Sequence, residues 1–303
     1  MIYTFSEYLE KKYGEKVYKL PVNLPFTCPN RDGTRGTGGC AFCGEEGAGF
    51  ECLSSSLPVE EQLRINAELI HARYKAKKYI AYFQNYTNTY TDAHTLKKNL
   101  ESACRDDVVA LYISTRPDCL PDTHIDVLSQ VQQIWDRDVV VEVGLQTANY
   151  HTLKALNRCH GLAEFIDAVI RLKKAGLGVC AHCITDLPMD DLHDVTETAR
   201  ILSALHVDQV KCHSLYILKD TVLGTLYEAG GFQPLTFSDY VTRIIAFIEH
   251  LDKNIAVQRI AGRAPDDRSL FCNWGMSWWR MKDAVELKMM KDGNFQGRLC
   301  DFS

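Results

Sequence analysis

The chain lacks any apolar run approaching the ~20 residues that a membrane-spanning helix needs. Its opening segment, MIYTFSEYLEKKYGEKVY, has no uninterrupted apolar stretch of the kind that directs secretion. Membrane association is therefore not expected, and the expected location is cytoplasmic. An excess of one charge sign is missing too: 34 Lys+Arg against 39 Asp+Glu leave a net charge of -5. That balance excludes a protein that grips nucleic acid with its whole surface. A local basic surface stays open, because the last 53 residues carry nine Lys/Arg against seven Asp/Glu. No short-period repeat and no low-complexity tract interrupts the chain.

Cysteine, by contrast, is abundant, with 12 in 303 residues. Without a secretory signal, disulfides are disfavoured, so metal or cluster ligation has to be weighed first. Plain burial is the alternative for many of them, since a free thiol packs as a small hydrophobe. Spacing separates the two cases. One loop reads Cys28-Pro-Asn-Arg-Asp-Gly-Thr-Arg-Gly-Thr-Gly-Gly-Cys40-Ala-Phe-Cys43. Three thiolates can hold three irons of a four-iron four-sulfur cluster and leave the fourth iron open. Gly33, Gly36, Gly38 and Gly39 supply the dihedral freedom to wrap an inorganic core. A zinc loop is the competing reading, although structural zinc takes two cysteine pairs or a histidine partner. The other Cys-x-x-Cys, Cys180 and Cys183, lies in an apolar run and reads as core.

Around this loop, apolar runs alternate with amphipathic stretches. Strands are expected over 16–20, 79–83, 108–114, 139–144, 178–185 and 209–217, and helices over 59–77, 91–103, 123–136, 150–157, 163–175 and 192–205. The alternation predicts right-handed parallel crossovers and an α/β fold, a partial (β/α)6 barrel. Residues 1–230 form its core, and 231–303 an extension for substrate recognition holding Trp274, Trp278 and Trp279. Active sites of such sheets lie beyond the C-terminal strand ends. There the sequence places the cysteine loop, Gln84-Asn85-Tyr86-Thr87-Asn88, Ser114-Thr115-Arg116, Glu142 through Gln146, and Asp186-Leu187-Pro188.

With these motifs the chain resembles the radical S-adenosylmethionine (SAM) superfamily, in the branch of the elongator catalytic subunit and the oxygen-independent coproporphyrinogen oxidases. Within it, the Cys-Pro-Asn-Arg-Asp-Gly opening resembles a bacterial radical SAM family linked to side-chain modification of the tRNA wobble uridine. Eleven residues separate Cys28 from Cys40 where the superfamily usually has three, and a widened gap is a feature of that branch. The branch's Glu-x-Gly-x-Gln strand and following Arg-x-His match Glu142, Gly144, Gln146, Arg158 and His160. The resemblance implies a four-iron four-sulfur cluster on Cys28, Cys40 and Cys43, and SAM as second cofactor. It also implies SAM contacts from Glu142, Gln146, Arg158 and the Phe42 backbone. The Gly-Gly-Glu motif that grips the SAM amine is replaced by Gln84 and Asn85 with their neighbours, so amides have to substitute there.

Other residues keep two readings. Ser114 and Arg116 stand at a strand exit, Arg116 either as a clamp for a carboxylate or phosphate or in a structural ion pair. His182, Lys211 and His213 are expected on strands lining the barrel, while His94, His124 and His193 read as helix-surface or cap positions. The expected activity is reductive SAM cleavage to a 5′-deoxyadenosyl radical. Its expected target is a carboxymethylaminomethyl group on a tRNA wobble uridine, converted to aminomethyl. The expected partners are tRNA and an electron donor such as flavodoxin or ferredoxin. A small-molecule substrate, or a non-catalytic zinc or iron-sulfur scaffold, are the alternatives.

Overall fold

The chain is described by a computed structural model covering residues 1–44 and 49–302. A first helix, α1 (Phe5–Tyr13), precedes β1 (Val17–Val22), and α2 (Val59–Tyr74), β2 (Lys78–Phe83), α3 (Ala93–Glu101) and β3 (Val108–Thr115) follow. Next come α4 (Asp122–Trp135), β4 (Asp138–Gln146), α5 (Tyr150–Ala155), α6 (Leu162–Lys174), β5 (Gly178–Ile184) and α7 (Leu192–Ala204). The chain continues through β6 (Gln209–His213), β7 (Tyr216–Leu218), α8 (Val222–Glu228) and α9 (Phe237–His250). It ends with β8 (Ala256–Arg259), β9 (Ser269–Cys272) and α10 (Trp278–Asp292).

Seven strands form one parallel sheet in the order β1-β2-β3-β4-β5-β6-β8, and β7 and β9 pair antiparallel apart from it. The sheet is one strand wider than expected: β8, from beyond residue 230, pairs with β6 at its edge. The strand expected over 209–217 is broken at Ser214 and Leu215. Ser214 Oγ donates to Asn273 Oδ1, and the Leu215 N–H donates to Asp186 Oδ1, so neither stays on the ladder.

The central strands are apolar on both faces, as a sheet covered on both sides requires. Their outer residues, with Phe165, Leu172, Leu202, Ile244 and Ile248 of the helices, make the main core. Helix starts are fixed locally: Asp191 caps α7 through the His193 and Asp194 N–H groups, and Thr236 caps α9. On the inner face, Ile80, Tyr82, Tyr112, Val140 and Cys180 form a second cluster, closed by Leu9 of α1 with Phe5 and Tyr8 beside it. The sheet curls into a half-barrel. Lys19 of one edge strand donates to Gln258 Oε1 of the other at 2.8 Å. Among the described residues no helix is long and apolar enough to cross a membrane.

Candidate functional site

The cysteine loop is tied to the mouth of the half-barrel by backbone and amide bonds. Within it, Arg35 and Gly36 N–H groups donate to Pro29 O, and Gly39 N–H to Asn30 O. Asn30 is fully buried, and its Nδ2 donates to Asn157 O at 2.5 Å and to Cys40 Sγ at 3.4 Å. Asn157 answers from the segment after α5, donating to Gly39 O at 2.8 Å. Gly36 is required by packing: a Cβ there would lie 2.3 Å from Asn30 Oδ1 and 2.8 Å from Cys159 Sγ.

All three expected ligands are free thiols, with Cys40 buried and Cys28 and Cys43 half-buried. Arg158 is buried and donates from Nη1 to Cys40 Sγ at 3.1 Å and from Nη2 to Gly144 O at 3.0 Å. Its guanidinium also stacks over the Phe42 ring at 5.9 Å. Gln146 has φ 79, a left-handed conformation that turns its side chain toward Gly144 and Arg158. Arg31 donates to the Cys43 and Gly44 carbonyls at 2.8 and 2.5 Å. Burial and the neighbouring Cys40 thiol push the Cys43 thiol above its usual range, against the pull of Arg31.

Two further strand ends complete the rim. Asn85 has φ 92 and donates to Asn23 Oδ1 at 3.0 Å, and the Gln84 N–H donates to Val22 O. Arg116 is buried in a bidentate pair with Asp118, both contacts 2.9 Å, which is the structural of its two expected readings. Its guanidinium remains within electrostatic reach of Cys28 and Cys40.

Below this rim lies a polar layer to which all seven strands of the sheet contribute. Glu142 Oε1 accepts from Lys19 Nζ at 2.5 Å, and Oε2 from His182 Nε2 at 2.7 Å and Lys211 Nζ at 3.1 Å. Ser114 Oγ and Gln258 Nε2 approach the same carboxylate at 3.4 and 3.2 Å, and Lys211 Nζ also donates to Tyr82 Oη at 2.7 Å. Glu142, expected to contact SAM, is engaged by the side chains of this layer. Its carboxylate is saturated by two ammonium groups and an imidazole, two residues down the strand from Gly144, and serves as their internal counter-ion. Ser114 belongs to this floor as well. The same three partners hold the Glu142 carboxyl well below its usual range despite its burial. Burial lowers Lys211 to about 7 and His182 to about 4. Lys19, Tyr82 and Gln258 had no sequence signal, since each lies in an unremarkable strand and meets Glu142 only after folding.

The remaining residues sort simply. Cys180 and Cys183 are buried core thiols, as expected. His124, expected at a surface or cap, is buried, with Nε2 2.8 Å from Thr91 O; His94 and His193 are exposed.

The residues present fit a four-iron cluster with an adjoining polar cofactor. The donors are all thiols, the ligands iron clusters take. Around them stand buried polar atoms with no hydrogen-bond partner among the described residues: Asn85 Oδ1, Asn88 Oδ1, Arg116 Nη1 and Arg158 Nε. Among the described residues, the triads whose ligand atoms lie within 4.8 Å of one another are Glu142–Cys180–His182 and His193–Asp194–Glu197. The three loop cysteines are not so converged, which suits separate corners of a cube better than one tetrahedral ion.

Residues 30–202 match the radical SAM superfamily and 207–291 the radical SAM C-terminal domain. The chain is 35% identical over 300 residues to the uncharacterized protein YtqA of Bacillus subtilis, covering 98% of this chain and 92% of that one. It is 27% identical over 146 residues to a tRNA uridine(34) acetyltransferase of Methanocaldococcus jannaschii, covering 47% of this chain and 25% of that one. Among solved structures, archaeal Elp3 of Methanocaldococcus infernus shares the fold with TM-score 0.71 and 17% identity, over 92% of this chain and 64% of that one. The chain belongs to the radical SAM superfamily.

Proposed function

We propose that the chain is a radical SAM enzyme that converts a carboxymethylaminomethyl group on a tRNA wobble uridine to aminomethyl. Cys28, Cys40 and Cys43 hold the cluster, and Arg158, Gln146, Phe42, Asn85 and Arg116 bound the SAM pocket. When bound, cluster and SAM supply one-electron cleavage of the sulfonium and a 5′-deoxyadenosyl radical able to take a hydrogen atom. The chain's own contribution is placement and exclusion of water. Arg158 fixes Cys40 against the β4 terminus, the amide ladder of Asn30 and Asn157 holds the loop, and the buried floor closes the barrel below.

The conversion balances without an outside oxidant. The substrate gives up a hydrogen atom and an electron from the carbon beside nitrogen, SAM accepts both, and water supplies a carbonyl oxygen. The products are the aminomethyl group, glyoxylate, 5′-deoxyadenosine and methionine. The first electron comes from a donor such as flavodoxin or ferredoxin.

For the nucleic-acid substrate, the supporting observation is the sequence relationship to the tRNA uridine(34) acetyltransferase. The exposed, stacked pair Trp278–Trp279, centroids 3.6 Å apart, offers a base-stacking face beside Arg280. Mass spectrometry of tRNA nucleosides from a deletion strain tests the assignment: carboxymethylaminomethyluridine should accumulate, and an unchanged wobble-uridine profile would contradict it. The net charge of -5 favours a second reading, a small carboxylated molecule as substrate. Absence of tRNA binding by cluster-loaded protein even at low ionic strength would select it.

A further inference from the structure

The edge strand β8 carries a bulge opposite β6. Val210 pairs with Val257 but Lys211 pairs with Arg259, so Gln258 is the extra residue. A bulge re-aims side chains, and here two consecutive ones turn into the barrel. Gln258 reaches Gln209 Oε1 at 2.7 Å and Cys180 Sγ at 3.2 Å. Arg259 Nη2 stands 2.9 and 3.1 Å from the two ring nitrogens of His213. Across the sheet, Gly144, His182, Lys211 and Arg259 share one register row.

The charges in this row do not cancel. Among the described residues, the ammonium groups of Lys19 and Lys211 and the His182 imidazole all bond the single carboxylate of Glu142. Arg259 has no carboxylate within 4.0 Å among the described residues, and its buried Nε has no hydrogen-bond partner. His213 cannot compensate it, because burial and the guanidinium itself keep that ring neutral. A guanidinium cannot shed its charge, and leaving it half-buried without an anion is unfavourable. Its fork matches the two oxygens of a carboxylate. Tyr216 stands within electrostatic reach of both the Cys43 thiol and Arg259.

We infer that Arg259, flanked by Lys211 and His213, is the subsite for the carboxylate of the substrate. This rests on the proposed function for its occupant, the carboxymethyl arm. Engaging that arm at Arg259 sets the neighbouring carbon toward the cofactor and distinguishes it from an aminomethyl group that lacks the charge.

Calorimetry on reconstituted protein without reductant tests the site, with malonate as probe. Wild type should bind malonate, and Arg259→Gln should weaken it at least tenfold. His213→Glu supplies an internal carboxylate to the guanidinium, and should fold and lose malonate in the same way. Wild-type malonate affinity in either folded variant, or no binding to wild type, overturns the inference. SAM should bind wild type equally well with and without saturating malonate. Competition between them would assign the guanidinium to the SAM carboxylate and overturn the inference too. A separate arm uses 5-carboxymethylaminomethyluridine and its methyl ester, the acid being expected to bind at least tenfold tighter. Equal binding of the two, with the malonate results as expected, would retire the uridine reading and keep a carboxylate subsite for another substrate.

Discussion

The Arg158 guanidinium donates to the Cys40 thiol at 3.1 Å while its other nitrogen holds the Gly144 carbonyl at the end of β4. One side chain thus couples the ligand loop to the strand that ends in the mouth. A positive hydrogen-bond donor on a cluster-ligating sulfur stabilises the reduced, more negative cluster. Arg158→Met should therefore retain iron but lower the reduction potential by some tens of millivolts, read by a redox titration followed by electron paramagnetic resonance. An unchanged potential would show that the contact does not reach the cluster.

Among the described residues, Glu142 is the only acid paired to Lys19, Lys211 and His182. Glu142→Gln keeps the shape and removes the charge, leaving the buried Lys211 and half-buried Lys19 ammonium groups without an anion. The expected loss is about 3–5 kcal/mol of unfolding free energy in urea at pH 6. It should shrink above neutral pH, because Lys211, already lowered to about 7 by burial, then sheds its proton. A loss equally large at pH 9 would contradict this charge balance.

Asp186 is buried, accepts the Leu215 N–H at 2.8 Å, and has its carboxyl pushed up to about 7 by burial. Its folded pKa lies above the unfolded value, so the folded state binds the extra proton between about pH 4 and 7. Stability contributed by this group is present below that window and is lost as pH rises through it. Asp186→Asn keeps the acceptor and removes the charge. It should stabilise the protein at pH 8 by an amount on the order of 1–4 kcal/mol and change little at pH 4. Equal effects at both pH values would refute the assignment.

The three C-terminal tryptophans divide. Trp274 Nε1 donates to Leu235 O at 2.7 Å, and its ring packs on Phe237, Tyr240 and Phe271. Trp274→Ala should cost about 3–5 kcal/mol of stability. Trp278 and Trp279 are exposed, so alanine there should leave stability within about 0.5 kcal/mol. Under the tRNA reading the same two changes weaken tRNA binding by about 1–3 kcal/mol per stacked base, measurable by filter binding. Unaltered tRNA affinity in the double variant would remove this face from the interface.

Much of the architecture was legible because it is written locally. The expected strand over 108–114 is β3 at Val108–Thr115, and the expected helix over 192–205 is α7 at Leu192–Ala204. The cysteine loop stood out because three thiols at that spacing are the donor set a cluster takes. The floor was not. Glu142 meets Lys19 at a separation of 123 residues and Gln258 at 116, and sequence pattern carries nothing about such pairings. The bulge that turns Arg259 inward is a register event between β6 and β8 and leaves no periodic trace. α1, at the foot of the barrel, was missed because its aromatic residues face inward beside charged ones that cover it.

Whether this loop holds an iron-sulfur cluster that cleaves SAM is open to direct measurement. Anaerobically reconstituted wild type, incubated with SAM and dithionite, should be brown, contain about four irons per chain and release 5′-deoxyadenosine. Cys28→Ala, Cys40→Ala and Cys43→Ala should each lose iron and product, while Cys180→Ala keeps its iron. Protein containing about one zinc and no iron, with no 5′-deoxyadenosine formed, would contradict the account at its centre.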